Sequence, residues 1–303
     1  MIEGIQNPTL PNTSSNTRLI ELGFWAAVLF VLVGSASQMI FGLVIQVLQL
    51  IIHINYLDLA LLAALVANCF SLLLFYIFLV IGKYHVRDAF QLNSFKLSLV
   101  IPLIFAGLTL QILGSEIDNL FRMVFPPAAL DNLLRQIHPR LAVFEMLMQT
   151  MEQMLSIESG ITLIITILSA CIVGPAFEEL LFRGVIFTGL RRKFSLGAAL
   201  VFQSFLFGLM HANPWQFLYA FILGIFLGLI ASWSRSIFPA IILHIVINSS
   251  AFILNHFFPV KGLASEEQIQ HVDPLLLLCC FLVASISIFW LYYTRQVTEN
   301  KAV

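Results

Sequence analysis

Two adjacent carboxylates, Glu178 and Glu179, stand in a run from Ile161 to Leu190 that is otherwise almost wholly apolar, with Arg183 one helical turn further on. The following apolar runs carry His211 and then His244, with Asn248 four residues beyond it. An ionised carboxylate at membrane depth costs at least ~2.5 kcal/mol unless it is paired or hydrated, so ionisable residues there are functional candidates by default. Together these side chains suit hydrolysis by activated water. A carboxylate assisted by a neutral imidazole can hold a water and take its proton as it attacks a carbonyl. A second imidazole and a side-chain amide can donate to the oxyanion that forms.

The spacing within each run sorts the roles. Glu179 and Arg183 are four apart on one helical face, acid before base, so they can pair and offset each other's charge. Glu178 is rotated by about 100° from Glu179, and so can face a different cavity. His244 and Asn248 share a face. Gly174 and Pro175 precede the carboxylates and loosen the helix where a site must admit water.

The elements that carry these residues are membrane helices. With 60% hydrophobic and 10% charged residues among 303, and a mean hydropathy of +0.96, the chain is too apolar for a soluble domain of its size. Apolar runs long enough to cross a ~30 Å hydrocarbon core as helix predict an all-α, polytopic membrane protein with about eight spans: 22–51, 58–82, 97–114, 161–190, 196–211, 215–233, 237–257 and 274–294. A membrane barrel would show short alternating segments instead. Of the 15 Lys and Arg residues, this topology puts ten on one side, four on the other and Arg183 within a span, so both termini are expected in the cytoplasm of a multi-pass cell-membrane protein. Counted inward from Arg191 at ~1.5 Å per residue, Glu178 lies ~20 Å deep; His211, His244 and Asn248 fall at ~24, ~12 and ~18 Å from their own boundaries. Three helices thus bring the polar set to overlapping depths, in a site expected to open toward the cytoplasmic side.

The remainder of the single membrane domain, 1–303, is expected to be scaffold. Residues 1–21 read as a cytoplasmic tail with no basic n-region or cleavage site, so the first helix is its own insertion signal. Residues 115–160 break the pattern of spans; within them Phe144, Leu147, Met148, Met151, Met154 and Leu155 mark an amphipathic helix after Pro139, packed as an outer cover. Gly224 and Gly228 form a small-xxx-small face for close helix packing. The four cysteines lie in apolar spans with no CxxC pair, which gives neither a disulfide framework nor a zinc knuckle. A net charge of −1 excludes the strongly basic surface of nucleic-acid binders. Nothing in the sequence sets an oligomeric state.

At the polar positions the chain resembles a known family. Glu178-Glu179-Leu180-Leu181-Phe182-Arg183 matches EExxxR, Phe207 to His211 matches FxxxH, and His244 to Asn248 matches HxxxN. These are the motifs, in order, of the CPBP family of CAAX prenyl protease-like membrane proteins, called Abi in bacteria, whose best-known member type is the Rce1 CAAX endopeptidase. The resemblance covers about 170–250 and marks 161–257 as the core. It implies a glutamate-dependent intramembrane protease with no cofactor. Glu178 would activate water with His211, His244 and Asn248 would form the oxyanion hole, Glu179 and Arg183 would support the site, and Phe207 would shape its wall. The implied partner is a membrane-associated peptide or protein, prenylated where CAAX activity holds. Other readings are a proton-coupled transporter, a peptide-binding or immunity protein without catalysis, and a zinc metalloprotease using the Glu and His side chains as ligands. The transporter predicts an internal repeat that the sequence does not show, and the metalloprotease lacks HExxH.

Overall fold

The structure, a computed structural model, describes residues 56–81, 87, 90–126, 160–191, 193–211, 214–257 and 273–300, with isolated positions at 40, 44, 129, 132, 133, 135 and 136. All regular structure among them is helical. We number the helices α1 (Tyr56–Ile81), α2 (Val100–Val124, entered through a 3-10 turn at Leu97–Leu99), α3 (161–191), α4 (Leu196–Met210), α5 (Pro214–Ser234), α6 (Phe238–Phe257) and α7 (Pro274–Asn300). By length and composition, the segments Leu97–Val124, Leu163–Arg191, Gln216–Ser234 and Pro274–Thr294 can cross a membrane, and shorter apolar helices occupy Leu65–Phe78, Leu196–Met210 and Phe238–Leu254. Apart from the isolated positions 40 and 44, the predicted first span, 22–51, and the amphipathic helix expected after Pro139 lie outside the described residues.

One boundary differs from expectation. The third span was predicted to end at Gly114, but α2 continues to Val124. Its polar residues are absorbed by neighbours one turn away: Ser115 donates to the Ile112 carbonyl at 2.8 Å, and Arg122 pairs with Asp118 at 2.7 Å. Gly114 does not stop the helix. A Cβ placed there would stand 2.0 Å from the Tyr219 ring, so this glycine lets α5 approach α2.

Helix α3 is the centre of the assembly, packed by α1, α4, α5 and α6, while α2 packs on α5, α6 and α7. Two buried clusters result, one around Phe177, Leu181, Phe182 and Val185 with Phe90 and Phe207, the other around Leu103, Leu227, Leu243 and Ile247. The loop before α2 is clasped to the turn between α5 and α6. Ile237 N–H donates to the Gln91 carbonyl at 3.1 Å, Ser236 Oγ donates to the Asn93 carbonyl at 2.6 Å, and Asn93 Nδ2 donates to the Arg235 carbonyl at 2.8 Å. Gln91 and Arg235 both adopt left-handed φ values of 51° to make this clasp. It sets the start of α6, and therefore the height of His244.

The small-residue face of α5 packs as expected. Gly224 lies against Ser204 and Gly228 against Leu200 and Gln203, so that added Cβ atoms would fall 2.9 Å from Ser204 Cβ and 2.7 Å from Leu200 Cδ2. Gly224→Ala would press on the α4 backbone as well, since Ser204 Cα is at 3.0 Å. Overpacking of this kind costs about 1–3 kcal/mol. Thermal unfolding in detergent is expected to show a clear loss for Gly224→Ala and none for Gly197→Ala, whose Cβ would meet nothing within 4 Å.

Candidate active site

The carboxylates sit on a short α-helical stretch, Gly174–Glu179, between two π-helical stretches, Ile167–Val173 and Leu180–Phe187. Wide turns of this kind concentrate at functional sites, and here Gly174 and Pro175 explain the first. The Gly174 N–H reaches back five residues to the Ser169 carbonyl, and a Cβ on Gly174 would lie 2.7 Å from that oxygen. In the same register the Ala170 carbonyl would need a donor from Pro175, which has no N–H. Asn248 supplies it: its Nδ2 donates to the Ala170 carbonyl at 3.0 Å. The proline thereby fixes the side chain of Asn248 from a neighbouring helix.

Glu178 and Glu179 do face different surroundings. The Glu178 side chain is 23% exposed and lines a cavity of about 290 Å³ together with His211, His244 and Asn248. Glu179 is wholly buried, and its Oε1 takes both Arg183 Nη1 at 2.7 Å and His244 Nδ1 at 2.9 Å. His244 thus stands between the two carboxylates, with Nε2 3.8 Å from Glu178 Oε2. Helix α4, predicted as the fifth span, has 15 residues, or ~22 Å, short of the ~30 Å hydrocarbon core. It stops at His211, which caps it inside the bundle, and α5 returns from Pro214. The early stop is what delivers His211 to the depth of the other groups.

Hydrogen bonds also orient both rings. His211 Nδ1 lies 2.8 Å from the Phe207 carbonyl, which only accepts, so Nδ1 carries the proton and the neutral ring keeps its Nε2 lone pair. His244 Nδ1 likewise donates to Glu179, whose partner Arg183 marks it as a carboxylate. Phe207, fully buried, is a platform for the whole group. Its ring meets His211 and His244 edge to face at 4.9 and 5.8 Å between centroids, and the Arg183 guanidinium lies over it at 4.6 Å.

All seven positions singled out in the sequence are therefore brought together. Others were missed. Arg183 Nη2 and Gln203 Nε2 donate to the Gly224 carbonyl at 3.1 and 2.8 Å, so the packing glycine also holds the ion pair. Asn68, Gln216 and Tyr219 line the cavity, and Tyr219 is fixed by donating its hydroxyl to Gln111 at 3.0 Å. A lone Asn in the apolar helix α1 was the available signal.

On α3 the cavity is lined by Ser169, Ala170, Gly174 and Glu178. Beyond Glu178, toward Arg191, Leu181, Phe182, Val185 and Ile186 are at most 2% exposed. The body of the cavity therefore extends toward the Gly160 end of α3. Among the described residues, no group of three or more His, Cys, Asp or Glu side chains is arranged to hold a metal ion.

Comparison with known proteins bears on the same stretch. A family model described as Type II CAAX prenyl endopeptidase Rce1-like matches residues 160–250, a stretch that includes Glu178, Glu179, Arg183, Phe207, His211, His244 and Asn248. The Bacillus subtilis (strain 168) protein named "Putative membrane peptidase YdiL" is 28% identical over 104 residues, 34% of this chain and 42% of that protein. The chain thus matches less than half of that relative's length. No solved structure matches it.

Proposed function

We propose that this chain, whose residues 160–250 match the Rce1-like family model, is a glutamate-dependent intramembrane endopeptidase of the CPBP family. The observation that carries the reading is the convergence of Glu178, His211, His244 and Asn248, from α3, the tip of α4 and α6, on one cavity. Glu178 takes a proton from a water that His211 Nε2 helps to hold, and the water oxygen attacks the peptide carbonyl. The oxyanion is met by Asn248, whose Nδ2 is already oriented by Ala170. His244 can donate there from Nε2 only when both ring nitrogens carry protons, an imidazolium held between Glu179 and Glu178. The tetrahedral carbon then expels the amine, which takes the proton from Glu178, leaving a carboxylate and a free amine.

The reading includes a multi-pass cell-membrane enzyme with about eight spans and cytoplasmic termini, needing no metal. Its substrate is a membrane-associated peptide or protein, prenylated or not. The test is cleavage of a panel of prenylated and unprenylated membrane-anchored peptides by purified wild type, with and without a chelator. Cleavage that survives chelation is the expected result. Loss on chelation would transfer the chemistry to zinc, and binding of peptides with no cleavage would favour an immunity or binding role.

A further inference from the structure

We propose that Gln203 is a positioning residue of the catalytic cluster: by holding the Gly224 carbonyl it keeps Arg183 on a single hydrogen bond to Glu179, and so leaves Glu179 Oε1 open to His244. The consequence for hydrolysis rests on the protease reading. The pairing itself rests on the geometry of the side chains.

The buried ion pair departs from its strongest form. Arginine and a carboxylate favour two parallel N–H···O bonds. Here Arg183 Nη1 meets Glu179 Oε1 at 2.7 Å, while Arg183 Nε and Glu179 Oε2, both buried, have no hydrogen-bond partner among the described residues. A two-bonded pairing uses Nη2 together with either Nη1 or Nε, the two usable edges of the planar fork. Nη2 is the nitrogen common to both, and it donates instead to the Gly224 carbonyl at 3.1 Å. That bond keeps the pair single. Its effect is felt at Oε1, which also takes His244 Nδ1 at 2.9 Å. A carboxylate closed onto two arms of the guanidinium would have to turn away from the imidazole.

Gln203 fixes the carbonyl that takes Nη2. It lies four residues before Phe207 and eight before His211, on the same inward stripe of α4, and it is fully buried. Its Nε2 stands 2.8 Å from the Gly224 oxygen, closer than Arg183, and 2.6 Å from Ser204 Oγ. The neighbours also orient the amide: with its oxygen and nitrogen exchanged, an acceptor would face the Gly224 and Leu200 carbonyls at 2.8 and 3.3 Å. Helix α5 makes room for it, since a Cβ on Gly228 would fall 3.0 Å from Nε2. A helical carbonyl already serves an N–H of its own helix, so two added donors on Gly224 mark a built junction of α3, α4 and α5. Glutamine suits such a place, where its hydrogen bonds tie helices together in a bilayer. Gln203 does not line the catalytic cavity, so its influence there passes through Arg183 and Glu179.

The test uses full-length protein in nanodiscs with isotope-labelled histidine rings. The NMR signal of the His244 Nδ1 proton, assigned by its loss in His244→Gln, reports the bond to Glu179. Gln203→Met removes the amide at similar volume. It is expected to move that signal upfield and to lower kcat on a membrane-anchored peptide about tenfold, the low end for a hydrogen bond to a charged group, with KM unchanged. In an Arg183→Lys background the same substitution should do neither, because an ammonium has no fork to close on the carboxylate; sites that act through one another are non-additive. If Gln203→Met does not fold, Gln203→Asn, whose amide is a methylene short of the Gly224 carbonyl, must displace the signal in the same direction.

An unmoved signal with unchanged kcat, a rise in KM alone, or equal effects in the Arg183→Lys background would overturn the role assigned to Gln203. A displaced signal in a protein that cleaves no peptide would leave the junction standing and sink the hydrolase reading. Cleavage by wild type with an unmoved signal in the variants would do the reverse.

Discussion

Glu178→Gln protein is expected to fold as the wild type does and to hydrolyse peptides about 10²–10⁴-fold more slowly, the range lost with a general base. The substitution keeps the shape and hydrogen-bonding length of the side chain and removes its ability to take a proton. Glu178 has little structural work to lose: it is partly exposed to the cavity, and its Oε2 stands 3.8 Å from His244 Nε2. The matched control is Glu179→Gln. That carboxylate is buried and holds both Arg183 and His244, so its replacement should disturb stability and activity together. Single-turnover cleavage and thermal unfolding of the two variants separate the roles. Full activity in Glu178→Gln would move the base elsewhere, and equal unfolding losses in both would show that the two glutamates share one structural role.

The different surroundings of the two glutamates were legible in the sequence because they follow from helical geometry alone. A rotation of 100° per residue separates Glu178 from Glu179, and a spacing of four aligns Glu179 with Arg183. Hydropathy likewise located the described helices α1 and α3 to α7. What spacing does not carry is contact between helices. Gly224 was read as a packing residue, and it is one, but its carbonyl also receives Arg183 and Gln203. Main-chain oxygens leave no mark in a side-chain pattern. Pro175 was read as a loosening element; that the carbonyl it orphans would be taken by Asn248 depends on where α6 lies. The end of α2 was misplaced because Gly114 and the polar residues after it look alike in a hydropathy profile whether they end a helix or serve a neighbour.

Arg183→Met is expected to cost about 3–5 kcal/mol of stability, the range measured when one partner of a buried ion pair is removed. The guanidinium is buried, bonded to Glu179 and the Gly224 carbonyl, and lies over the Phe207 ring. Without it Glu179 is a buried carboxylate whose remaining hydrogen bond in the structure is to His244, since Glu179 Oε2 has no partner among the described residues. Methionine fills much of the volume, so the loss reports the stranded charge more than a cavity. The second change that proves the cause is Glu179→Gln in the same chain. A neutral amide strands nothing and its carbonyl can still accept from His244 Nδ1, so the double variant should recover most of the lost stability, as neutral replacements of buried pairs do. Activity should not return with it. The carboxylate that would balance an imidazolium at His244 is gone, and the ring would lack the charge with which it meets an oxyanion. Denaturant unfolding in detergent and cleavage rates on the same three proteins give the answer. Recovery of both properties together would mean that the Glu179–Arg183 pair is scaffold only; recovery of stability alone assigns Glu179 to the control of His244.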